Sequence, residues 1–278
     1  MASSGTEAPD LGDAGRLRVA TWNVNSIKAR LAFVQHWLVA RRPDVVCLQE
    51  LKVDEASFPH EAFTDLGYHV AMAAQATWNG VAVIAREPVQ LVTTTLPGAE
   101  EAGARVVPPR PTGLRATGGS VPNRQTLSHE DPPLKLRFMD ALATYARGLT
   151  RDHDQVIVGG YFNICPGDRD SHAPDGLRGS IFHTDEERAL IQKVESAGLV
   201  DLYRDLYPEG APDGVLYSWW DYRAGAFHKN LGLRIDLLLG SPAVRARTRS
   251  LFIDREYRKK KDGETPSDHA PVIADLER

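Results

Sequence analysis

Hydrophobic and polar positions along the chain switch between two periods. LRVATWN, Leu17 to Asn23, is a β-rich run. SIKARLAFVQHWLVARRPD follows, with Ile27, Leu31, Val34 and Trp37/Leu38 at helical spacing until Pro43 ends it. DVVCLQE, Asp44 to Glu50, is an almost unbroken apolar stretch, the pattern of a central strand. YHVAMAA and GVAVIAREPVQLVTTTL predict two or three more strands, and KLRFMDALATYARGL places Phe138, Leu142, Tyr145 and Leu149 on one helical face. QVIVGG predicts another buried strand that ends on its two glycines and opens into a polar loop. Thr184 and Glu187 stand at capping-box spacing and start a helix over TDEERALIQKVESAG. LRIDLLLGS, SLFID and PVIADL close the chain as strands. This alternation predicts α/β layering in one compact domain over residues 17–278, with no internal repeat. One segment fits neither period. Pro97 to Thr126 is rich in Pro and Gly, and its only strand candidates are ARVV and the weak GLRAT. It reads either as a long functional loop or as a degraded pair of strands.

Bulk properties narrow the function. A length of 278 residues suits one large α/β domain. The net charge of −4 excludes a generally basic nucleic-acid binder, so a polyanionic partner requires a local basic face. The two cysteines, Cys47 in an apolar run and Cys165 in a loop, indicate no disulfide framework and suit a reducing, cytoplasmic setting. No apolar run approaches the ~18 residues of a membrane span, so no membrane partner is expected. Residues 1–16 lack the basic start and apolar core of a signal peptide and are expected to be a disordered tail.

The chemistry is concentrated where strands end. The first ends in Trp22-Asn23-Val24-Asn25, the second in Gln49-Glu50, and the QVIVGG strand beside Asn163; PSDHAPV, with Ser267, Asp268 and His269, precedes the last. In α/β folds such ends converge on one crevice. Singly, each has a plain explanation: an Asn at a strand end is commonly a turn residue, and a Glu there is commonly solvated. Asp236 is harder to dismiss, because an acid inside Ile-Asp-Leu-Leu-Leu needs a partner if buried. Jointly, oxygen ligands suited to a hard cation, a His backed by an acid, and amides able to place phosphate oxygens or a water are the parts for metal-assisted phosphodiester hydrolysis.

TWNVNSIKARL, PDVVCLQELK, GVAVIAREP, VPNRQT, GGYFNICPGDRD, YSWWDYRAGAFHKNLGLRIDLLLGSP and SDHAPV, in this order from about Leu17 to Leu276, resemble the exonuclease III branch of the endonuclease/exonuclease/phosphatase superfamily. The resemblance implies a four-layer α/β sandwich, two packed mixed β-sheets flanked by helices. It implies a nucleoid-associated, monomeric DNA-repair enzyme that uses Mg²⁺, with Mn²⁺ as an alternative. Its substrate would be double-stranded DNA, especially abasic sites and 3′ ends, which it would cut as an abasic-site endonuclease and 3′-to-5′ exonuclease. By position, Glu50 is similar to the main metal ligand, and Asn25 and Asp268 to secondary or water-mediated ones. Asn23 and Asn163 resemble phosphate- and water-orienting amides, and Asp236 with His269 the pair that contacts the scissile phosphate. Trp219, Leu233 and Ile235 fall where the family builds its pocket for a flipped-out, base-less sugar. Lys28, Arg30, Arg223, Lys229 and the run REYRKKK, Arg255 to Lys261, are candidates for the basic face; the run alone equally suits a solvated loop.

Two departures fall on catalytic positions. The family has Gly-Asp-Phe/Met-Asn where this chain has Gly160-Tyr161-Phe162-Asn163, and it has a Tyr where this chain has Ser120; Arg124 replaces a turn Gly. The missing Asp is the group held to orient or deprotonate the attacking water. A general base typically contributes ~10²–10⁴ in rate, and a tyrosine hydroxyl with pKa near ~10 is a poor one at neutral pH. The expectation is therefore a DNA-repair phosphodiesterase of reduced activity. The alternatives are a pseudo-enzyme that binds damaged or duplex DNA, and a phosphodiesterase turned to another substrate, against which the retained SWWDYR and GLRID segments argue.

Overall fold

A computed structural model describes residues 15–74, 79–89, 95–103, 106–107, 114–122 and 132–278 of the protein. Its elements are β1 (Arg16–Asn23), α1 (Ile27–Arg41), β2 (Val45–Gln49), α2 (His60–Thr64), β3 (His69–Ala73), β4 (Val81–Ala85), β5 (Val106–Val107), β6 (Arg115–Ser120), α3 (Pro132–Asp152) and β7 (Val156–Tyr161). These are followed by α4 (Pro174–Leu177), α5 (Asp185–Glu195), β8 (Val200–Asp201), α6 (Leu202–Leu206), β9 (Trp219–Trp220), β10 (Gly232–Leu233), β11 (Asp236–Gly240), α7 (Pro242–Arg247), β12 (Thr248–Ile253) and β13 (Val272–Glu277). One sheet has the order β12-β13-β1-β2-β4-β3 and the other β5-β6-β7-β11-β8; β9 and β10 form a separate ribbon. Both large sheets are mixed: β1 runs parallel to β2 and β6 parallel to β7, while the other pairs are antiparallel.

Strand parity builds three apolar layers between four layers of structure. In β1 and β2, Val19, Val45 and Cys47 face the other sheet and meet Ala116, Ile157 and Leu238. The alternate residues Ala20, Trp22, Val46 and Leu48 face α1 and meet Phe33, Val34, Trp37 and Leu38. On the far side, Val156, Val158, Leu237 and Leu239 meet Phe138, Met139 and Leu142 of α3 and Leu190, Ile191 and Val194 of α5. The capping box of α5 is present, with Glu187 N–H donating to Thr184 Oγ1 at 3.1 Å.

The Pro/Gly-rich segment is the degraded strand pair. β5 pairs antiparallel with β6, and β6 lies beside β7 inside the sheet despite the sequence RATGGS. The glycines make that position possible. A Cβ at Gly160 would sit 2.0 Å from the Gly119 carbonyl oxygen, and one at Gly118 would sit 3.0 Å from Cys47 Cβ across the sheet interface. For the same reason β7 does not end on its glycines but runs through them to Tyr161. Both cysteines are free and buried. Among the described residues no helix is long and apolar enough to cross a membrane. The expectation for residues 1–16 lies almost wholly outside the described residues.

Candidate active site

The period-2 alternation that builds the core also aims the polar groups. Asn23 shares a face of β1 with Val19, and Asp236 shares a face of β11 with Leu238, so both point into the gap between the sheets, at its open end. Across the second sheet, Ser120, Tyr161 and Asp236 are cross-strand neighbours in one row: Ser120 pairs with Tyr161, and Tyr161 with Asp236. His269 enters just before β13, which is antiparallel to β1, so it arrives at the same end.

The first half of the site is a hydrogen-bonded chain of oxygens and amides. Asn23 Nδ2 donates to Glu50 Oε1 at 2.9 Å, and Lys52 Nζ lies 3.0 Å from Glu50 Oε2 and 2.7 Å from Asn25 Oδ1. Asn25 Nδ2 donates to Asp268 Oδ1 at 2.9 Å, and Trp219 Nε1 to Asp268 Oδ2 at 3.0 Å. Two backbone hydrogen bonds knit the loops: Val24 N to Gln49 O at 3.0 Å and Ser26 N to Glu50 O at 2.8 Å. Asn25 and Glu50 both adopt left-handed backbone, with φ of 47° and 52°. Asn tolerates this region, whereas Glu rarely adopts it, and such outliers cluster at functional sites. Burial raises the Asp268 carboxyl, but His269, Trp219 and Asn25 outweigh it and leave it below the usual carboxylate range.

The second half is a buried histidine pair. His269 Nδ1 is 2.8 Å from Asp236 Oδ2, which also accepts from Ser218 Oγ at 2.7 Å. Burial lowers the imidazole, but Asp236 opposes it by charge and hydrogen bond, helped by Asp268 and Glu50, and the net shift is upward. Tyr161 stands edge-on to this ring, with centroids 4.7 Å apart and planes at 76°. Its hydroxyl is pushed well above the usual tyrosine value, first by burial and then by Glu50, Asp236 and Asp268, against a smaller opposing effect of the Asn163 side chain. It is a neutral phenol at neutral pH and cannot serve there as a base. Asn163 (φ 57°) donates from Nδ2 to Val121 O at 2.9 Å, which fixes its amide orientation. Its Oδ1, like Asp236 Oδ1, is a buried acceptor with no partner among the described residues.

The site therefore unites Asn23, Asn25, Glu50, Tyr161, Asn163, Asp236, Asp268 and His269, with Ser120 buried beside Tyr161. Asn123 and Arg124, the turn after Ser120, lie outside the described residues. Leu233 and Ile235 pack with Tyr161 and Cys165, flanked by Trp219, Leu177 and Phe182. They form a cluster, as the sequence suggests, but at 4% and 1% exposure the two aliphatic side chains are sealed beside the Tyr161 ring.

The basic candidates divide. Lys28, Arg223 and Lys229 are exposed, with Arg223 forked onto Asp221. Arg30 holds the Asn25 carbonyl and, at 3.1 Å, the Tyr222 hydroxyl. The run from Arg255 is not uniformly a solvated basic strip. Arg255 lies over Phe227 and Trp220, and the buried Arg258 over Tyr222 and Phe227, because guanidinium planes stack on aromatic rings. Lys259 pairs with Glu256, and Lys261 lies over Tyr257.

Three supporting residues, Ser218, Lys52 and Lys135, escaped sequence reasoning, and Ser267 was named there only as a strand-end polar residue. Ser218 and Ser267 tie Asp236 and the Asn23 carbonyl in place, and Lys52 bridges Glu50 and Asn25. All three lie within the resemblance segments, and only their contacts mark them. Lys135 carried a sequence signal: it stands three residues before Phe138, on the core face of its helix, and is buried.

Among the described residues no group of three His, Cys, Asp or Glu is arranged so that it could by itself hold a metal ion. The donors at Glu50, Asn25 and Asp268 are all oxygen, two of them carboxylates and one an amide. That composition fits Mg²⁺, which retains several waters, and does not fit a soft metal.

The endonuclease/exonuclease/phosphatase family matches residues 20–269. Exodeoxyribonuclease III of Haemophilus influenzae is 31% identical, over 94% of this chain and all of its own length. The exodeoxyribonuclease of Bacillus subtilis is 28% identical over 92% and 98%. Among solved structures, a variant of the Neisseria 3′ phosphatase NExo, bound to product DNA hairpin, superposes with a TM-score of 0.89 at 36% identity, covering 94% of this chain and all of the other. An AP endonuclease from Archaeoglobus fulgidus superposes at 0.85 with 30% identity, covering 93% and 98%. With its fold, its strand-end site and the match over residues 20–269 in agreement, the chain belongs to the endonuclease/exonuclease/phosphatase family.

Proposed function

We propose that the protein is a divalent-metal-dependent DNA-repair phosphodiesterase that acts on abasic sites and 3′ ends of double-stranded DNA, as a monomer in the cytoplasm. Its rate is held down by Tyr161. One observation carries the reading: Glu50, Asn23, Asn25 and Asp268 form one hydrogen-bonded chain. That chain abuts the buried Asp236–His269 pair. The relatives support it by their own activities: exodeoxyribonuclease, AP endonuclease and, in the complex with a product hairpin, 3′ phosphatase.

Glu50 would hold Mg²⁺ or Mn²⁺, assisted by Asn25 and, through water, Asp268; the ion supplies Lewis acidity at a phosphate oxygen. The chain's own groups do the rest. Asp236 fixes His269 with its Nδ1 proton inward, which leaves Nε2 for a non-bridging phosphate oxygen. Asp236, by charge and hydrogen bond, raises the imidazole above its ordinary value, which makes the charged form that meets phosphate easier to reach. Asn163 Oδ1 accepts a hydrogen from the attacking water and turns its lone pair towards phosphorus. The water oxygen bonds to phosphorus and gives up one proton to solvent, the ester bond breaks, and the leaving oxygen takes a proton from solvent. Lys28, Arg30, Arg223 and Lys229 meet the DNA backbone. Trp219 borders the sugar subsite, whose aliphatic wall, Leu233 and Ile235, Tyr161 partly covers.

The buried, neutral Tyr161 phenol favours a second reading, a protein that holds damaged duplex without efficient cleavage. A gel assay on a duplex with one abasic analogue separates the two. Mg²⁺-dependent nicking that EDTA stops supports the phosphodiesterase. Retarded but uncut duplex supports the binder, and neither effect refutes both.

A further inference from the structure

We infer that Lys135 is a positioning residue for the reaction, acting through Asn163; this rests on the phosphodiesterase reading above. Lys135 lies on α3, behind β7, and its side chain is 3% exposed. Its ammonium donates to the Asn163 main-chain carbonyl at 2.9 Å and to Glu187 Oε1 at 2.5 Å. Glu187 is itself fixed. Its Oε2 accepts from Thr184 N at 3.2 Å and Thr184 Oγ1 at 3.0 Å, in the capping box that starts α5. The ammonium is thus anchored to a helix start, and the Asn163 carbonyl is anchored to the ammonium.

Anchoring matters here because of the backbone. Asn163 sits at φ 57°, a region an Asn visits but does not prefer, directly after the last strand residues. Three bonds hold the bend: Phe162 N to Ile235 O at 2.8 Å, Asn163 Nδ2 to Val121 O at 2.9 Å, and the Lys135 bond to the carbonyl. The third is the one made by a charged donor, and charge-assisted bonds are about twice as strong as neutral ones. Burying an ammonium and a carboxylate is a poor way to gain stability alone, since well-packed apolar residues often do as well. Its placement on the carbonyl of a residue whose Oδ1 has no hydrogen-bond partner among the described residues points to geometric control of that oxygen. With Tyr161 in the place of an acid, Asn163 Oδ1 is the acceptor left to orient the water, so its placement bears directly on the rate.

The test compares Lys135→Met, Lys135→Arg and Glu187→Gln. Two quantities are read: single-turnover cleavage against duplex affinity, and the side-chain amide resonances of Asn163 in ¹⁵N-asparagine-labelled protein. Lys135→Met is expected to move the Asn163 amide signals and to lower the single-turnover rate by roughly 10- to 100-fold, the scale of an ångström of misplacement, with duplex affinity unchanged. Lys135→Arg, which keeps the charged donor, is expected to recover part of the rate. Glu187→Gln, which loosens the anchor of the ammonium but keeps a donor for the carbonyl, is expected to lower the melting temperature and to move the Asn163 signals and the rate less than Lys135→Met does. A Lys135→Met protein that melts lower but cleaves at the wild-type rate, with unmoved Asn163 signals, overturns the inference and leaves a purely structural ion pair. If Lys135→Met does not fold, the double variant Lys135→Met/Glu187→Met, which leaves no unpaired buried charge, takes its place: signals and rate both unchanged overturn the inference, and a shift in both supports it. If the wild-type protein cuts no DNA, the phosphodiesterase reading fails and the inferred role fails with it. The amide signals would then show separately whether Lys135 sets the Asn163 geometry.

Discussion

Replacing Tyr161 by Asp should make the protein less stable and faster at once. The Tyr161 ring is 7% exposed and packs on Cys165, Leu233 and Ile235, with its edge to His269. Truncating a buried aromatic costs about 3–5 kcal/mol. The new carboxylate would stand in the electrostatic reach of Glu50, Asp236 and Asp268, the three acids that already push the Tyr161 hydroxyl up. Two unit charges ~5 Å apart repel by roughly 3 kcal/mol at an effective dielectric of ~20, so the variant should be least stable without metal and recover with Mg²⁺. Against this, a restored water-orienting acid is worth about 10²–10⁴ in rate. Tyr161→Phe is the control, because it removes the hydroxyl and keeps the ring; its rate should stay near wild type. Adding Ser120→Tyr to Tyr161→Asp should raise the rate further, since Ser120 is the cross-strand neighbour of position 161. The assay is single-turnover nicking of an abasic-analogue duplex with excess enzyme, beside thermal melts in Mg²⁺ and in EDTA. A folded Tyr161→Asp protein that cleaves no faster than wild type refutes the assignment of a lost acid to this position.

Three further outcomes follow from particular contacts. Glu50→Ala should abolish Mg²⁺ binding by calorimetry; an unchanged affinity would remove Glu50 as the ligand. Lys52→Met should tighten Mn²⁺ binding roughly two- to fivefold, the worth of one partly exposed ion pair. Its ammonium otherwise competes for Glu50 Oε2 and Asn25 Oδ1, and weaker binding in the variant contradicts that competition. Asp170 is buried with Arg234 and Arg204; burial raises its carboxyl, but the two guanidiniums outweigh this and hold it below the usual range. A depressed folded value means stability that is fully present above the unfolded value of ~4 and lost as pH falls through the folded one. Asp170→Asn should therefore cost about 3 kcal/mol at neutral pH and flatten the acid limb of urea stability, and an unaltered acid limb would count against it.

Much of this architecture was legible in the pattern. The apolar runs at Val45–Gln49, Val156–Val158 and Leu237–Leu239, and the helical faces of α1, α3 and α5, appear as the sequence predicts. What stayed open between loop and strand was structure that local propensity opposes. β6 is a strand because Gly118 and Gly119 let neighbouring backbone and the facing sheet approach, and glycine-rich segments carry no period. Short elements such as β9, α4 and α6 were missed because two to five residues give too little pattern to detect. The site was legible residue by residue only through the resemblance, and its wiring was not. Sequence separations of 27 between Asn23 and Glu50, and 243 between Asn25 and Asp268, close only in three dimensions. The basic run was read too simply, because nothing local shows that Arg255 and Arg258 fold back onto aromatic rings.

The central claim is that this strand-end constellation cleaves DNA with a bound divalent ion. The most direct measurement is the fraction of an abasic-analogue duplex cut in a single turnover by excess wild-type and Glu50→Ala protein, each with Mg²⁺ and with EDTA. Slow but complete cutting by the wild type in Mg²⁺ alone, and none by Glu50→Ala, is the predicted result. Equal cutting by both proteins, cutting that persists in EDTA, or no cutting at all would contradict it.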